Sequence, residues 1–183
     1  MPDFRPEGIF RALQKHQVRY VLIGGLAATL HGSNLRTGDM DICPAGDREN
    51  LVRLAAALAD LKGRIRTSDA PEGVRFACDA KFLGSVRICN LVTKYGDVDI
   101  SFEPSGTAGF ADLIADAVVY RLGRVQVPTA SLDAVIRSKE SANRLKDRLA
   151  LPALRTLRLE TERAKEKRPG RVLRRARERK RPL

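Results

Sequence analysis

Two aspartates separated by one apolar residue, Asp39 and Asp41, constrain this sequence more than any other feature. Side chains of a strand alternate between its two faces, so both acids are predicted to share one face. The pattern recurs at Asp97 and Asp99, again with apolar neighbours that predict a buried opposite face. Carboxylates crowded on one sheet face repel each other. Such a cluster is tolerated when a divalent cation binds it or when some of the acids stay protonated.

A glycine pair, Gly24 and Gly25, closes an apolar run at residues 20–23 that is typical of a strand. A short helix is predicted directly after it, over residues 26–31. The order strand, glycine turn and helix N-terminus exposes backbone N–H groups and is the usual framework of a phosphate site. A tight turn with close helix–strand packing is the more common explanation of a glycine pair.

The rest of the chain alternates between helical and strand periodicity. Helices are predicted over residues 4–17, 48–61 with Asp47 as N-cap, and 110–115. Strands are predicted over 74–78, 85–92 and 97–102, with turns at 79–81 and 93–96. A strand or hairpin around Gly123 covers 118–127 and is predicted to end at Pro128. Helical character resumes from Ser131, and Pro152 is predicted to divide it into two helices.

Composition excludes several classes of protein. The chain has 183 residues, 43% of them hydrophobic, which suits one domain with a possible appendage. Its three cysteines have neither metal-binding nor disulfide-framework spacing, and no apolar run reaches the roughly 20 residues of a membrane span. We therefore expect a cytoplasmic protein with no zinc site and no membrane partner. The two histidines, His16 and His31, lack partners for catalysis or metal binding and are interpreted as structural.

Positive charge is concentrated at the C-terminal end. Residues 155–183 contribute +9 of the formal net charge of +12. The segment from Arg171 to Arg181 is typical of a contact with nucleic acid or another polyanion. A solvated chain end that only adds solubility is an equally good interpretation.

Taken together, these motifs resemble a known superfamily. The run from Ile23 to Gly25, the segment from Arg36 to Ile42, and Val98-Asp99-Ile100 are similar to the DNA polymerase β-like nucleotidyltransferases. Residues 131–139 and 144–147 resemble the minimal bacterial branch that includes the AbiEii-type toxin nucleotidyltransferases. The resemblance covers residues 18 to about 157.

This resemblance implies an α/β (α+β) fold, with a mixed sheet flanked by helices, a C-terminal helical segment and a basic tail. We expect residues 1–128 to form the nucleotidyltransferase-like core and 129–167 a helical segment packed on it. Residues 168–183 would be the tail.

The implied activity is transfer of a nucleoside monophosphate from a nucleoside triphosphate to an acceptor hydroxyl, with Mg²⁺ or Mn²⁺. RNA or a protein is the expected acceptor, and a toxin–antitoxin role with an antitoxin partner is among the expectations. Asp39 and Asp41 would be metal ligands. Asp99 would be the third acid, which binds the second metal and helps the acceptor hydroxyl lose its proton. Asp97 is either auxiliary or a surface acid.

The resemblance also implies a nucleotide site. Gly24 and Gly25 would direct backbone donors to the β and γ phosphates. The superfamily often has serine at the second position, so Gly25 removes a hydroxyl donor there. Arg36 would meet phosphate or acceptor, whereas for Ser33 and Thr37 the interpretation as loop caps is favoured.

Three charged residues near the C-terminal end complete the candidate site. Lys139 continues an apolar helical stripe, so it either extends to solvent or lines a cleft, where it would neutralise phosphate charge. Asp147 would orient Lys139 or Arg144, although an ion pair between helices without a catalytic role is a comparable interpretation. A catalytically silent protein on the same fold, binding nucleic acid or a partner, is the alternative function.

Overall fold

The computed structural model describes residues 4–166, which form one seven-stranded mixed sheet flanked by helices. The helices are α1 (Pro6–Lys15), α2 (Gly24–Leu30), α3 (Arg48–Asp60), α4 (Ala80–Ser85), α5 (Phe110–Ala115), α6 (Leu132–Ala142) and α7 (Leu145–Glu166). The strands are β1 (Tyr20–Ile23), β2 (Asp39–Pro44), β3 (Arg64–Ile65), β4 (Ile88–Thr93), β5 (Gly96–Ser101), β6 (Val118–Leu122) and β7 (Val125–Thr129). Their order in the sheet is β3-β4-β5-β2-β1-β7-β6. The predicted fold class is confirmed.

The centre of the sheet places the acidic residues side by side. Strand β2 pairs antiparallel with β1 and parallel with β5, and the second pairing sets Asp41 opposite Asp99. The alternate residues Met40 and Ile42 are completely buried, as the alternation of side chains requires. The carboxylates therefore share one face of the sheet while the core fills the other.

Amphipathic helices cover the sheet and build the core. In α1, Ile9, Phe10 and Leu13 are buried at helical spacing, as predicted. Helix α3 begins where predicted, because the Asp47 side chain accepts a hydrogen bond from the backbone N–H of Asn50. These contacts pack α1 and α3 on the sheet and contribute to its core.

The prediction for residues 74–85 is wrong. No strand forms over 74–78, where only an isolated bridge joins Val74 to Ile65. The predicted turn at 79–81 is instead the start of α4, since the Asp79 side chain caps the helix by accepting from the Phe82 backbone N–H at 2.7 Å. Aromatic packing of Phe76 on Phe82, with ring centroids 4.9 Å apart, favours this arrangement over a strand. The predicted strand 85–92 consequently begins later, at Ile88.

Two prolines also depart from the predictions. The predicted hairpin forms, but β7 runs through Pro128 to Thr129. Its pairing with β1 involves only Thr129, so the missing N–H of Pro128 interrupts no extended ladder there. Pro152 does not divide the last helix, because α7 is continuous from Leu145 to Glu166. The buried residues Leu151 and Leu154 lie on both sides of this proline, and their packing holds the helix together.

Replacing Pro152 with alanine should therefore stabilise the protein. The substitution restores one helical N–H donor and removes the clash of the ring with the preceding turn, so the free energy of unfolding should rise by about 1–3 kcal/mol. Urea denaturation measures this change. At the neighbouring exposed position, Ala153→Gly should lower stability by about 1 kcal/mol. An unchanged or lower midpoint for Pro152→Ala would contradict a continuous helix.

Within the described part of the chain, no helix combines the length and apolar character needed to cross a membrane. The predicted basic tail, residues 168–183, lies outside the described residues.

Candidate active site

Three carboxylates meet at the centre of the sheet. Asp39 and Asp41 come from β2 and Asp99 from β5, and one oxygen of each lies within 4.8 Å of the others. All three side chains are half-buried. Hard divalent cations prefer carboxylate oxygens, so the composition and spacing of this cluster fit such an ion.

Asp41 is the most strongly perturbed member of the cluster. Burial raises its pKa from 3.8 to about 6, and the negative charges of Asp39 and Asp99 add to the effect. A hydrogen bond from the Gly25 backbone and the positive charge of Lys146 oppose it only in part. The carboxylates therefore repel one another, which a bound cation would relieve.

The Asp99 side chain forms an ion pair with Arg66. One guanidinium nitrogen of Arg66 donates to Asp99 Oδ1 at 2.8 Å, and Arg66 Nε lies 3.2 Å from Asp97 Oδ2. Burial nevertheless raises the pKa of Asp99, although Arg66 opposes the shift. Asp97 lies opposite Asp39 in the β2–β5 pairing, on the same face, but it is outside the three-carboxylate cluster and pairs with Arg66.

The glycine turn lies directly against the acids. Gly24 has a positive φ of 68°, and a Cβ at this position would lie 2.0 Å from Asp41 Oδ2. A Cβ on Gly25 would lie 2.7 Å from Thr37 Oγ1, so this hydroxyl occupies the space that a side chain at position 25 would need. Thr37 Oγ1 also donates to Asp39 Oδ1 at 2.7 Å. Thr37 thus contacts the cluster itself, whereas the sequence favoured a loop cap.

A cleft of about 620 Å³ opens above the cluster. Asp39, Asp41 and Asp99 line it together with both glycines of the turn. Among the described residues, the other charged groups of its lining are all basic: Arg36, Lys139, Arg144 and Lys146. The cleft therefore combines a metal-binding type of acidic cluster with cations suited to phosphate.

A fully buried carboxylate holds two of these cations. Asp147 accepts from Lys139 Nζ at 3.0 Å and from Arg144 Nε at 2.6 Å. Burial alone would raise the pKa of Asp147, but the hydrogen bonds and the positive charges of Arg144 and Lys139 together outweigh it and hold the pKa below its ordinary value. Lys139 thus lies in the cleft rather than extending freely to solvent.

The remaining predicted residues, Ser33 and the two histidines, do not line the cleft. The Ser33 hydroxyl accepts from the Leu35 backbone N–H at 3.3 Å within the loop. The histidines make structural contacts: His31 bonds the Ala130 carbonyl and the Tyr120 hydroxyl, and His16 bonds Asp60.

Sequence reasoning missed three polar residues around the site. Lys146 lies in the segment 144–147, where the sequence predicts no role for it, although its charge acts on Asp41. Arg66 directly follows β3, an edge strand of two residues that shows no recognisable strand pattern in the sequence. Asn90 lines the cleft opposite Asp99 on β4, and alternation along that strand was its only available signal.

Gly24→Ala should damage the site and the fold together. The new methyl group collides with Asp41 Oδ2, and alanine is strained at this positive φ, so we expect a loss of about 1–3 kcal/mol in stability. Thermal denaturation and calorimetric titration of Mg²⁺ measure the two effects. Gly46→Ala is the control, since a Cβ there meets nothing within 4 Å. Equal stability and equal Mg²⁺ binding of Gly24→Ala and Gly46→Ala would contradict the close approach of Gly24 to Asp41.

Comparison with known proteins identifies the family of the chain. A family model described as aminoglycoside-2''-adenylyltransferase matches residues 7–137. The chain belongs to this family. The aminoglycoside-2''-adenylyltransferase match includes the glycine turn and all three clustered acids, and it ends before α7. No curated protein matches the chain significantly in sequence.

Solved structures share the fold. The lincosamide antibiotic adenylyltransferase LnuA, bound to lincomycin, is 17% identical with a TM-score of 0.55, covering 85% of this chain and 99% of that one. ANT(2")-Ia in complex with adenylyl-2"-tobramycin is 17% identical with a TM-score of 0.53, covering 88% and 91%. A putative nucleotidyltransferase from Thermotoga maritima is 17% identical with a TM-score of 0.52, covering 91% and 96%. At this identity the likeness shows the fold.

The expected nucleotidyltransferase superfamily is thereby confirmed. The finer resemblance to AbiEii-type toxins has no counterpart among these matches and stays a prediction.

Proposed function

We propose that the protein transfers the adenylyl group of ATP to a hydroxyl of a small-molecule acceptor, with a divalent cation. The observation that carries this proposal is the convergence of three carboxylates within 4.8 Å at a cleft whose other charged residues, within positions 4–166, are cations. Membership of the aminoglycoside-2''-adenylyltransferase family supports ATP as the donor. A cleft of about 620 Å³ is in the usual size range of small-molecule sites.

The three clustered acids would have different roles in the reaction. Asp39 and Asp41 would hold the cation, Mg²⁺ or Mn²⁺, which supplies Lewis-acid stabilisation of phosphate charge when bound. Asp99 would hold a second ion and take the proton of the acceptor hydroxyl, whose oxygen forms a bond to the α-phosphorus as pyrophosphate leaves. The raised pKa of Asp99 suits a proton acceptor.

The opposite wall of the cleft would hold the triphosphate. Lys139, Arg144 and Lys146 place positive charge there, and Arg36 adds to it from the loop before β2. Gly24 and Gly25 present backbone N–H groups from the start of α2. The Gly25 backbone also lowers the pKa of Asp41, so this turn faces the acidic cluster as well as the proposed phosphate position.

RNA and protein acceptors, an antitoxin partner and a toxin–antitoxin role stay predictions without support from the comparisons. The family match and the size of the cleft both favour a small acceptor. Contact between the basic tail and nucleic acid is a separate proposal. Deleting residues 168–183 should weaken nucleic-acid binding and flatten its salt dependence, which filter binding over a salt series measures.

Two labelled forms of ATP test the proposed reaction. Label at the α-phosphate should appear in the acceptor product only with Mg²⁺ or Mn²⁺, while label at the γ-phosphate should leave with pyrophosphate. Asp39→Asn should reduce transfer at least about a hundredfold, since it removes a charged ligand. Asp69→Asn is the matched control, because Asp69 is exposed and its one side-chain hydrogen bond among the described residues is accepted from the Ser68 hydroxyl.

Equal transfer by Asp39→Asn and wild type would reject the assignment. The catalytically silent alternative is tested by calorimetry, because a binding module with an unused site should give no Mg²⁺-dependent heat with ATP.

A further inference from the structure

The cross-strand row that contains Asp41 and Asp99 continues to the edge of the sheet. Asp41 lies opposite Asp99 of β5, and Asp99 lies opposite Asn90 of β4. Arg66 ends this row, because its backbone N–H donates to the Asn90 carbonyl at 2.8 Å. Its guanidinium reaches past β4 and donates to Asp99 Oδ1, also at 2.8 Å. The pairing of the strands therefore places a cation beside one of the three clustered acids.

Asp97 and Asp99 share the charge of this arginine. Arg66 Nε lies 3.2 Å from Asp97 Oδ2, while a second guanidinium nitrogen contacts Asp99. The three side chains are between 15% and 28% exposed, so water and salt screen this ion pair less than a pair on the open surface. One positive charge between two carboxylates leaves them net negative. Asp99 can therefore still attract a metal ion, but more weakly than a carboxylate without such a partner.

The two acids of β2 differ from Asp99 in this respect. Within residues 4–166, Asp99 is the member of the acidic cluster that forms an ion pair, whereas Asp39 accepts a hydrogen bond from the neutral Thr37 hydroxyl. Arg66 does not itself line the cleft, so it contacts Asp99 from the side of the sheet edge. A ligand in the cleft consequently need not displace it.

Resting on the proposed function, we propose that Arg66 acts as a counter-ion of Asp99 and makes the two metal positions of the site unequal. Asp39 and Asp41 would bind one divalent cation tightly. The position at Asp99 would be weaker, because Arg66 already supplies positive charge there. Arg66 is thus a positioning residue that acts through Asp99.

Counting bound Mn²⁺ tests this proposal without relying on turnover. Electron paramagnetic resonance detects free Mn²⁺, so a titration of metal-free, full-length protein gives the number and affinity of the bound ions. At pH 7.5 and physiological ionic strength, we expect wild type to bind the first ion at least about tenfold more tightly than the second. Arg66→Met removes the charge and keeps much of the side-chain volume. It should tighten binding of the second ion at least about tenfold and of the first ion by less.

Arg137→Met is the matched control. Arg137 also pairs with a carboxylate, Asp112, at 2.7 Å, but neither residue lines the cleft. Both Mn²⁺ affinities of this variant should match those of wild type. Arg66→Gln removes the charge and retains a hydrogen-bond donor, so it provides the same test if Arg66→Met does not fold.

Equal affinities for the two ions in wild type, or no gain for the second ion in the Arg66 variants, would overturn the proposal. Weaker binding of the second ion in these variants would also overturn it, because Arg66 would then help Asp99 to bind the ion. Failure of the proposed function is visible separately, as absence of any bound Mn²⁺ in wild type even with an ATP analogue whose α–β bridge is methylene.

Discussion

Asp41→Asn is expected to reduce adenylyl transfer at least about a hundredfold while making the metal-free protein more stable at neutral pH. The loss of transfer follows from removing one charged ligand of the proposed metal site. The gain in stability follows from the pKa of Asp41, which burial and then the charges of Asp39 and Asp99 raise from 3.8 to about 6.

The direction of the pH dependence follows from that shift. Below pH 3.8 the carboxyl group is protonated in both folded and unfolded protein. Between about 4 and 6 the folded protein retains the proton longer, so the stability contributed by protonated Asp41 is lost as the pH rises to about 6. Two pKa units correspond to about 3 kcal/mol, an upper bound on what the neutral amide should restore at pH 7.5.

Urea denaturation of metal-free protein at pH 5 and pH 7.5 measures this effect. Wild type should lose more stability than Asp41→Asn between the two pH values. Added Mg²⁺ should raise the stability of wild type and have less effect on the variant. Asp69→Asn should follow wild type throughout. A parallel pH dependence of wild type and Asp41→Asn would contradict the buried, repelled state of this carboxylate.

Asp147→Ala should cause the largest loss of stability. Asp147 is fully buried and bonds both Lys139 and Arg144, so its removal leaves the half-buried Lys139 without its partner. Breaking a buried ion pair from one side typically costs about 3–5 kcal/mol. Urea denaturation measures the loss, and calorimetry with ATP and Mg²⁺ should show weaker binding in the fraction that folds.

Asp133→Ala provides the matched comparison. Asp133 lies on α6 and pairs with Arg158 of α7 at 3.2 Å, but its side chain is 68% exposed. Exposed ion pairs contribute only about 0–1 kcal/mol, so this variant should remain close to wild type. Similar losses of stability in Asp147→Ala and Asp133→Ala would show that Asp147 is not the buried partner of Lys139 and Arg144. If Asp147→Ala does not fold, Lys139→Met tests nucleotide binding alone.

The acidic cluster was predictable because it depends on the shortest periodicity in proteins. Alternation along a strand was enough to put Asp39 and Asp41 on one face, and the apolar residues beside Asp99 repeated the signal. The meeting of the two strands came from the resemblance, since no local pattern determines that β2 pairs parallel with β5. The assigned roles of these acids, and the division into core, helical segment and tail, stay proposals.

The errors have a common physical origin in tertiary contacts. Pro152 is a helix breaker by local rules, yet buried leucines on both sides of it keep α7 continuous. Residues 74–78 have strand propensity, but their aromatic side chain packs against α4 instead of entering the sheet. Arg66 reaches the acids only because β3 lies at the sheet edge beyond β4, and local sequence does not reveal this order.

The β2–β5 ladder sets the alignment of the acids independently of the apolar lining of the cleft. The β2–β5 register aligns Asp41 with Asp99, so this alignment does not depend on the apolar residues at the outer part of the same cleft. Those apolar residues include Leu35, Ile88 and Leu149, which come from the loop before β2, from β4 and from α7. On the proposed function, substitutions at these three positions would change the outer lining of the cleft and leave the acidic cluster in place.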